Sequence, residues 1–446
     1  MSTDDCIVAT ATPLGMSALA LIRLSGHSAI SVVAQLNPLA ASLVPRRATL
    51  LTLSWNGETL DETLVTLFAA PASYTGENLI EITPHGNPLI VRRIVEACLV
   101  AGARMARPGE FSMRAFMNGK MDLTQAESVM DLIAARTELA LRSARASQKG
   151  HLRSHVNSLR ETLLDTLAHI EAHIDFPDED IQPDTRDKLR AQLEERLSQI
   201  SKLLSTSETG RILREGVRTV IVGLPNTGKS SLLNALLGEN RAIVHNTPGT
   251  TRDTLEEWLC IEGVPIRIID TAGTRDTTDP VEQEGVRRSG EALATAELVI
   301  HLFDLSSPWD AAQQALRNSY PADRAILVGN KSDLPEKQSS PPAPSVAISA
   351  LTGAGLDTLK KAIVTKITSG FVWEEGEVTI NARHRDCLMR ASTPLRRACD
   401  GLREGHSLEI VSLELRESLQ ALTEIVGVIS NEEILDKLFS GFCIGK

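Results

Sequence analysis

Residues 223–230 read GLPNTGKS, which matches G-x-x-x-x-G-K-[ST] and follows a short apolar run. Those types at that spacing suit a polyphosphate. Gly223 and Gly228 let backbone N–H groups curl around anionic oxygens, Lys229 carries a charge to the β and γ positions, and Ser230 offers a hydroxyl to Mg2+. Thr227 and Ser231 complete the candidate phosphate-binding segment. Downstream, Asp270, Thr271, Ala272 and Gly273 close a second apolar run, which sets a carboxylate near the metal and a glycine amide near the γ-phosphate. Asn330, Lys331 and Asp333 form N-K-x-D, whose Asp333 carboxylate can accept two hydrogen bonds from the guanine edge that adenine does not offer. A polar group left unpaired by the wrong base discriminates by roughly 10⁴-fold, so one carboxylate suffices. Ser349 and Ala350 fit a backbone contact to the guanine oxygen. Four motifs in the right order imply a P-loop domain that binds and hydrolyses GTP with Mg2+.

Two details narrow the chemistry. Enzymes of the Ras type carry a Gln two residues beyond the glycine of D-x-x-G to orient the attacking water, whereas Thr274 and Arg275 follow Gly273 here, so another residue must serve. Asn226 sets a side-chain carbonyl oxygen inside the phosphate loop. That oxygen suits a monovalent cation standing in for an arginine finger, and equally a turn-stabilising asparagine. Residues 249–253, GTTRD, are the candidate switch, with Thr251 as the γ-phosphate-sensing Mg2+ ligand, although spacing alone does not decide between Thr250 and Thr251.

The elements that position these residues divide the chain. Residues 1–118 mix β-type runs at 18–24 and 79–82 with Gly and Pro punctuation and read as an α+β domain. Residues 119–212 read as helical, opening on a capping box in which Thr124 is the N-cap and Glu127 its partner. From 213 to 370, short apolar strands at 217–222, 266–269, 298–303 and 325–328 alternate with helical segments and end in a helix at 356–368. Residues 371–446 return to amphipathic helices. The fold class expected is multidomain α/β: an α+β N-terminal domain, an all-helical central domain, and a Ras-like P-loop GTPase domain inserted between two halves of the helical one.

The chain has 446 residues and a formal charge of −11, which argues against broad coating of nucleic acid while allowing a local basic patch. Six scattered cysteines without a C-x-x-C pair speak against a zinc site or disulfide framework and fit a reducing cytoplasm. No apolar run approaches the ~18 residues of a membrane span. The N-terminus carries Asp4 and Asp5 where a signal peptide would be basic. Arg104, Arg107, Arg114 and Lys120 could touch a nucleic-acid phosphate but read first as a solvated basic loop, and Cys443 invites a redox or nucleophilic reading although a lone thiol in an apolar setting is usually inert.

Further segments carry a resemblance: 21–26, SYTGENLIEI at 73–82, RPGEFSMRAFMNGKMDLTQAE at 107–127, IDFPDE at 174–179, GTTRD, and a C-terminal FCIGK. With a GTPase domain set in a helical frame, the chain resembles the MnmE (TrmE) family of tRNA-modification GTPases over its whole length. The resemblance implies a cytoplasmic homodimer built on the N-terminal domains, binding a 5-formyl-tetrahydrofolate-like cofactor and pairing its GTPase domains in a K+-dependent way. It places Asn226 and Thr250, with His245, Thr247 and the backbone through Asn246, Pro248, Gly249 and Thr251, around K+ and the nucleotide. Ser230 and Thr251 then hold Mg2+, and Glu282 positions the attacking water. Arg23, Glu81, Lys120 and Lys446 are the implied folate contacts. An FAD-containing MnmG-type partner would complete a heterotetramer that installs an aminomethyl or carboxymethylaminomethyl group on the wobble uridine of certain tRNAs. The competing expectation is a ribosome-assembly or RNA-binding GTPase switch, which the helical pattern after 371, lacking a G-x-x-G loop, disfavours.

Overall fold

The computed structural model describes residues 5–175, 186–240, 256–269, 292–336, 338–341, 344–368, 378–427, 435, 438–442 and 445. In chain order the strands are β1 (Cys6–Thr10), β2 (Ser17–Leu19), β3 (Ile22–Ser25), β4 (Thr49–Trp55), β5 (Glu58–Phe68), β6 (Leu79–Thr83), β7 (His85–Gly86), β8 (Ala103–Met105), β9 (Val217–Val222), β10 (Glu256–Ile261), β11 (Val264–Ile269), β12 (Leu298–Asp304), β13 (Ala325–Asn330) and β14 (Val346–Ala347). The helices are α1 (Ala29–Leu36), α2 (Pro88–Val100), α3 (Glu110–Met117), α4 (Leu123–Ala134), α5 (Glu138–Gln148), α6 (His151–Asp175), α7 (Arg186–Ser205), α8 (Ser207–Glu215), α9 (Lys229–Asn240), α10 (Ala311–Asn318), α11 (Leu356–Thr368), α12 (Ala382–Glu404) and α13 (Leu408–Val426). Contacts divide the chain into two compact units, one of residues 1–130, 147–197 and 387–446, the other of 131–146 and 198–386.

The first unit is built on a six-stranded sheet in the order β4-β5-β6-β3-β1-β8, antiparallel except where β8 runs parallel to β1. The apolar run of β1 is buried because it lies between β3 and β8, and α1 and α2 cover the sheet with Val32, Val33, Val91 and Ile94. Asn87 has extended backbone and caps α2, its side chain accepting from the N–H of Leu89, while Pro88 fills the first helical position where no donor is needed. The helical part pairs α6 with α13, whose buried stripe Val411, Leu415, Ser418, Leu422 and Ile425 keeps the 4-3 helical spacing. Gly427, at φ 82°, ends α13 in the left-handed turn that a side chain would strain.

Two expectations change here. The run at 18–24 is two strands, β2 and β3, that pair with different neighbours. The cap of α4 is Asp122, not Thr124: Asp122 Oδ1 accepts from Gln125 N–H at 3.0 Å, and Asp122 N–H donates to Gln125 Oε1 at 3.1 Å, a reciprocal box two residues earlier than Thr124 and Glu127 would make. Thr124 is buried inside the helix and donates to Asp122.

The second unit carries a six-stranded sheet in the order β10-β11-β9-β12-β13-β14, with β10 antiparallel at one edge and the rest parallel. Along β9, Val217 and Ile221 enter one core with α9 and α11, and Val220 and Val222 enter another with Val299 and Tyr320, so the stretch 220–222 is covered on both faces and reads as an apolar run, while Arg218 near the start of the strand is exposed. This is the inserted Ras-like P-loop architecture. β9 and α11 have the bounds expected of them, whereas β10 has no counterpart in the sequence reading.

Candidate functional site

The chain leaves β9 at Val222, turns through 223–228 and enters α9 at Lys229, so the N-terminal amides of α9 face the space inside the turn. Space and backbone angle both demand the glycines. A Cβ on Gly223 would come within 2.2 Å of the Leu302 carbonyl, and one on Gly228, at φ 94°, within 2.3 Å of Asn330 Nδ2. Asn226 lies in the left-handed region at φ 61°, a conformation asparagine tolerates better than most residues. Lys229 Nζ donates to the carbonyls of Gly223 and Leu224, at 2.9 and 3.1 Å. Burial pulls its pKa below that of a free lysine, so a neighbouring anion would compensate a desolvated charge. Ser230 and Ser231 are exposed on the first turn of α9.

Asn330 ends β13 and is buried. Its Nδ2 donates to the Thr227 carbonyl at 2.8 Å, and its Oδ1 accepts from the Ala350 N–H at 2.9 Å, so one side chain ties the phosphate loop, the N-K-x-D loop and the loop after β14 together. Lys331, at φ 63°, pairs with Asp304 Oδ2 at 2.6 Å. Burial alone would raise the Asp304 pKa, but hydrogen bonds from Lys331 and from Ser306 N–H and Oγ outweigh it and hold the carboxyl below its usual range. Asp333 is exposed in the turn that follows, open to an incoming base. Ser349 is buried, with its N–H on the Ala354 carbonyl and its Oγ accepting from Thr352 N–H. Sequence reasoning found Asn330 and Lys331 but missed Asp304, whose role depends on the pairing of β12 with β13.

The remaining nucleotide, Mg2+ and K+ candidates, His245, Asn246, Thr247, Pro248, Gly249, Thr250, Thr251, Asp270, Thr271, Ala272 and Gly273, lie outside the described residues, as does Glu282.

In the first unit Arg23 and Glu81 are opposite one another on β3 and β6, and Arg23 donates to Glu81 from Nη2 at 2.7 Å and Nε at 3.2 Å. The guanidinium also stands 5.6 Å from the Tyr74 ring centre and 5.9 Å from that of Phe111, and Nη1 lies 3.4 Å from the Gly445 carbonyl. The C-terminal segment thus reaches Arg23, and a Cβ on Gly445 would meet the Thr10 carbonyl at 2.6 Å. Lys120 turns to another partner, the Pro71 carbonyl at 3.0 Å. Lys446 and Cys443 lie outside the described residues.

The expected basic loop is not a solvated patch at two of its members. Arg114 is buried and pairs with Asp5, Glu77 and Glu110, while Arg104 pairs with Asp5 and Glu110. A desolvated arginine of this kind is stable only with such partners. Among the described residues no cluster of three or more His, Cys, Asp or Glu is placed to hold a metal, and no helix is long and apolar enough to cross a membrane.

Two family profiles match, "GTP-binding protein TrmE N-terminus" over residues 6–120 and "MnmE helical domain" over 123–443. A protein of Akkermansia muciniphila named tRNA modification GTPase MnmE is 45% identical over 99% of this chain and 99% of its own. The chain belongs to the MnmE family of tRNA modification GTPases. The like-named MnmE of Aquifex aeolicus is 44% identical, again over 99% of both chains. A solved structure of Era from Aquifex aeolicus, bound to GDP and aluminium fluoride, aligns over 40% of this chain and 65% of its own, at 25% identity and a TM-score of 0.27, too loosely to bear on the MnmE assignment.

Proposed function

We propose that this GTPase is K+-activated and works with an FAD-containing MnmG-type partner, adding an aminomethyl or carboxymethylaminomethyl group to the wobble uridine of certain tRNAs with a folate-borne one-carbon unit. Membership of the MnmE family over the full chain carries this reading. The proposed division is 1–118 for folate binding and dimerisation, 213–370 for GTP, and 119–212 with 371–446 as the helical frame. The setting proposed is the cytoplasm.

The residues in hand fit the groups invoked. The turn 223–228 is packed so closely against Leu302 and Asn330 that only glycine fits at 223 and 228, and desolvated Lys229 beside it suits a polyphosphate. Asn226 stands in the same loop, where a K+ ligand would be needed, and Ser230 lies in the first turn of α9, where a Mg2+ ligand belongs. Once bound, the metals would neutralise charge on the phosphates. Thr251 and Asp270 would join Ser230 around Mg2+, and His245, Thr247 and Thr250 would complete the K+ loop. Arg23 between Tyr74, Phe111 and Glu81 combines a cation, aromatic faces and a carboxylate, a set suited to a flat, hydrogen-bonding, anionic cofactor such as a folate.

The test is mass spectrometry of tRNA nucleosides from a strain lacking this chain and from one complemented with it. The reading expects the wobble modification to vanish in the first and return in the second. Unchanged nucleosides would refute it.

A further inference from the structure

β10 is an edge strand of the GTPase sheet and pairs on one side, with β11. Its turn into β11 is tight, because Ile261 pairs with Val264 and the two residues between them, Glu262 and Gly263, lie at φ 48° and 84° as a two-residue hairpin turn requires. Trp258 of β10 stands in register with Arg267 of β11, and Arg267 with Arg218 of β9, the strand that leads into the phosphate loop. In the sequence β10 follows the candidate switch closely, since Glu256 is the third residue after Asp253. A strand rises about 3.4 Å per residue, so whatever holds Trp258 fixes β10 roughly 7 Å from its first residue.

The residues that hold it come from outside the sheet. Between α4 and α5 the helical path breaks at 135–137, where Thr137 is buried and its Oγ1 accepts from the Ala140 N–H at 3.2 Å, capping α5. The break brings Arg136 onto Trp258, its guanidinium carbon 4.3 Å from the ring centre, against 6.0 Å for Arg267. Gly216 also closes on the indole, and a Cβ there would come within 2.6 Å of the ring. Leu139, in the first turn of α5, reaches the hairpin turn, where a Cβ on Gly263 would come within 2.6 Å of its Cδ1. The segment is itself fastened. Asp131 lies 4.0 Å from the Arg214 guanidinium of α8, and the buried hydroxyls of Ser143 and Thr379 share a hydrogen bond of 2.7 Å. Residues 131–146 accordingly belong to the GTPase unit.

We propose that Arg136 is a positioning residue for GTP hydrolysis, which seats the edge strand β10 through Trp258 and so sets how the segment 249–253 enters the phosphate site. The nucleotide in its ground state is gripped elsewhere, by 223–230 and 330–333, so this contact bears on turnover rather than on affinity. The role of 249–253 rests on the switch reading above, whereas the seating of Trp258 by Arg136 does not.

The experiment measures single-turnover hydrolysis and the affinities for GTP and GDP in the full-length protein carrying Arg136→Ala, Trp258→Leu or both. Loss of an interaction that serves only the transition state lowers turnover and spares affinity, so each single variant should hydrolyse about five- to tenfold more slowly, with affinities within roughly twofold of wild type. The double variant should be no slower than either single one, because the two side chains act as one unit. Trp258→Phe keeps a ring face for the guanidinium and should retain most of the rate. Wild-type turnover in Arg136→Ala would overturn the proposal. So would multiplied losses in the double variant, which would mean that the two residues act separately, or a fall in affinity matching the fall in rate, the mark of a structural prop. Thr251→Ala in the same assay separates the two claims: normal turnover there would strike the switch reading, whereas normal turnover in Arg136→Ala alone would strike only the positioning role.

Discussion

Asn330 donates a hydrogen bond to the carbonyl of Thr227 across 103 residues of chain, and it is this 2.8 Å contact that holds the phosphate loop against the guanine-reading loop. The two halves of the nucleotide site are thereby one body before any ligand arrives, so an incoming GTP has less ordering to impose.

Removing the contact should be felt in both stability and binding. Asn330→Ala leaves the Thr227 carbonyl and the Ala350 N–H without their partner, at a cost of roughly 1–3 kcal/mol for a buried group. GTP affinity measured by titration calorimetry should fall ten- to hundredfold, and the thermal midpoint should drop. Wild-type affinity in this variant would show that the two loops are aligned by something else.

Asp304 acts one step further out, through Lys331. The lysine side chain is about a third exposed, so solvent screening holds the pair to ~1 kcal/mol. Asp304→Asn should therefore raise the dissociation constant for GTP by about three- to tenfold with little change in turnover of bound GTP. A fall in turnover at unchanged affinity would contradict the positioning role.

His301 sits fully buried on β12, with Nε2 2.9 Å from Gln313 Oε1 and Nδ1 on the Tyr320 hydroxyl. Burial pushes its pKa below the free imidazole value. The unfolded chain then takes up the proton first as pH falls, so stability is level above about pH 6.5 and declines below it. Melting curves from pH 7.5 to 5 should show that decline, and His301→Gln should flatten it. An identical profile for the variant would place the acid sensitivity elsewhere.

The local motifs could be read from the sequence because their chemistry is contiguous. The loop 223–230 and the N-K-x-D element each lie within one turn beside an apolar strand, and β9 shows itself through the apolar run Val220–Val222, which is buried on both faces. What escaped depends on tertiary pairing. Asp122 and Thr124 are both cap-forming types, each with Gln or Glu three residues on, and only the burial of Thr124 decides between them. Arg114 looks like a surface charge until Asp5 and Glu77 arrive from distant segments. The row Trp258, Arg267, Arg218 exists only because β11 lies between β10 and β9.

Glu282 enters through the family resemblance, as the residue that orients water where Ras-type enzymes use Gln. An interaction made only in the transition state lowers turnover without touching affinity. Glu282→Ala should therefore bind GTP and GDP as the wild type does and lose most hydrolysis in single-turnover assays. Parallel loss of affinity would mean that the side chain holds the switch together instead.

The most direct test of the account is GTP turnover by the wild-type protein in KCl and in NaCl at equal ionic strength. With Asn226 in the phosphate loop and Arg275 rather than a glutamine two residues beyond Gly273, a cation in place of an arginine finger predicts faster hydrolysis in potassium, by roughly 10³-fold if it matches the worth of that finger. Equal turnover in the two salts would contradict it.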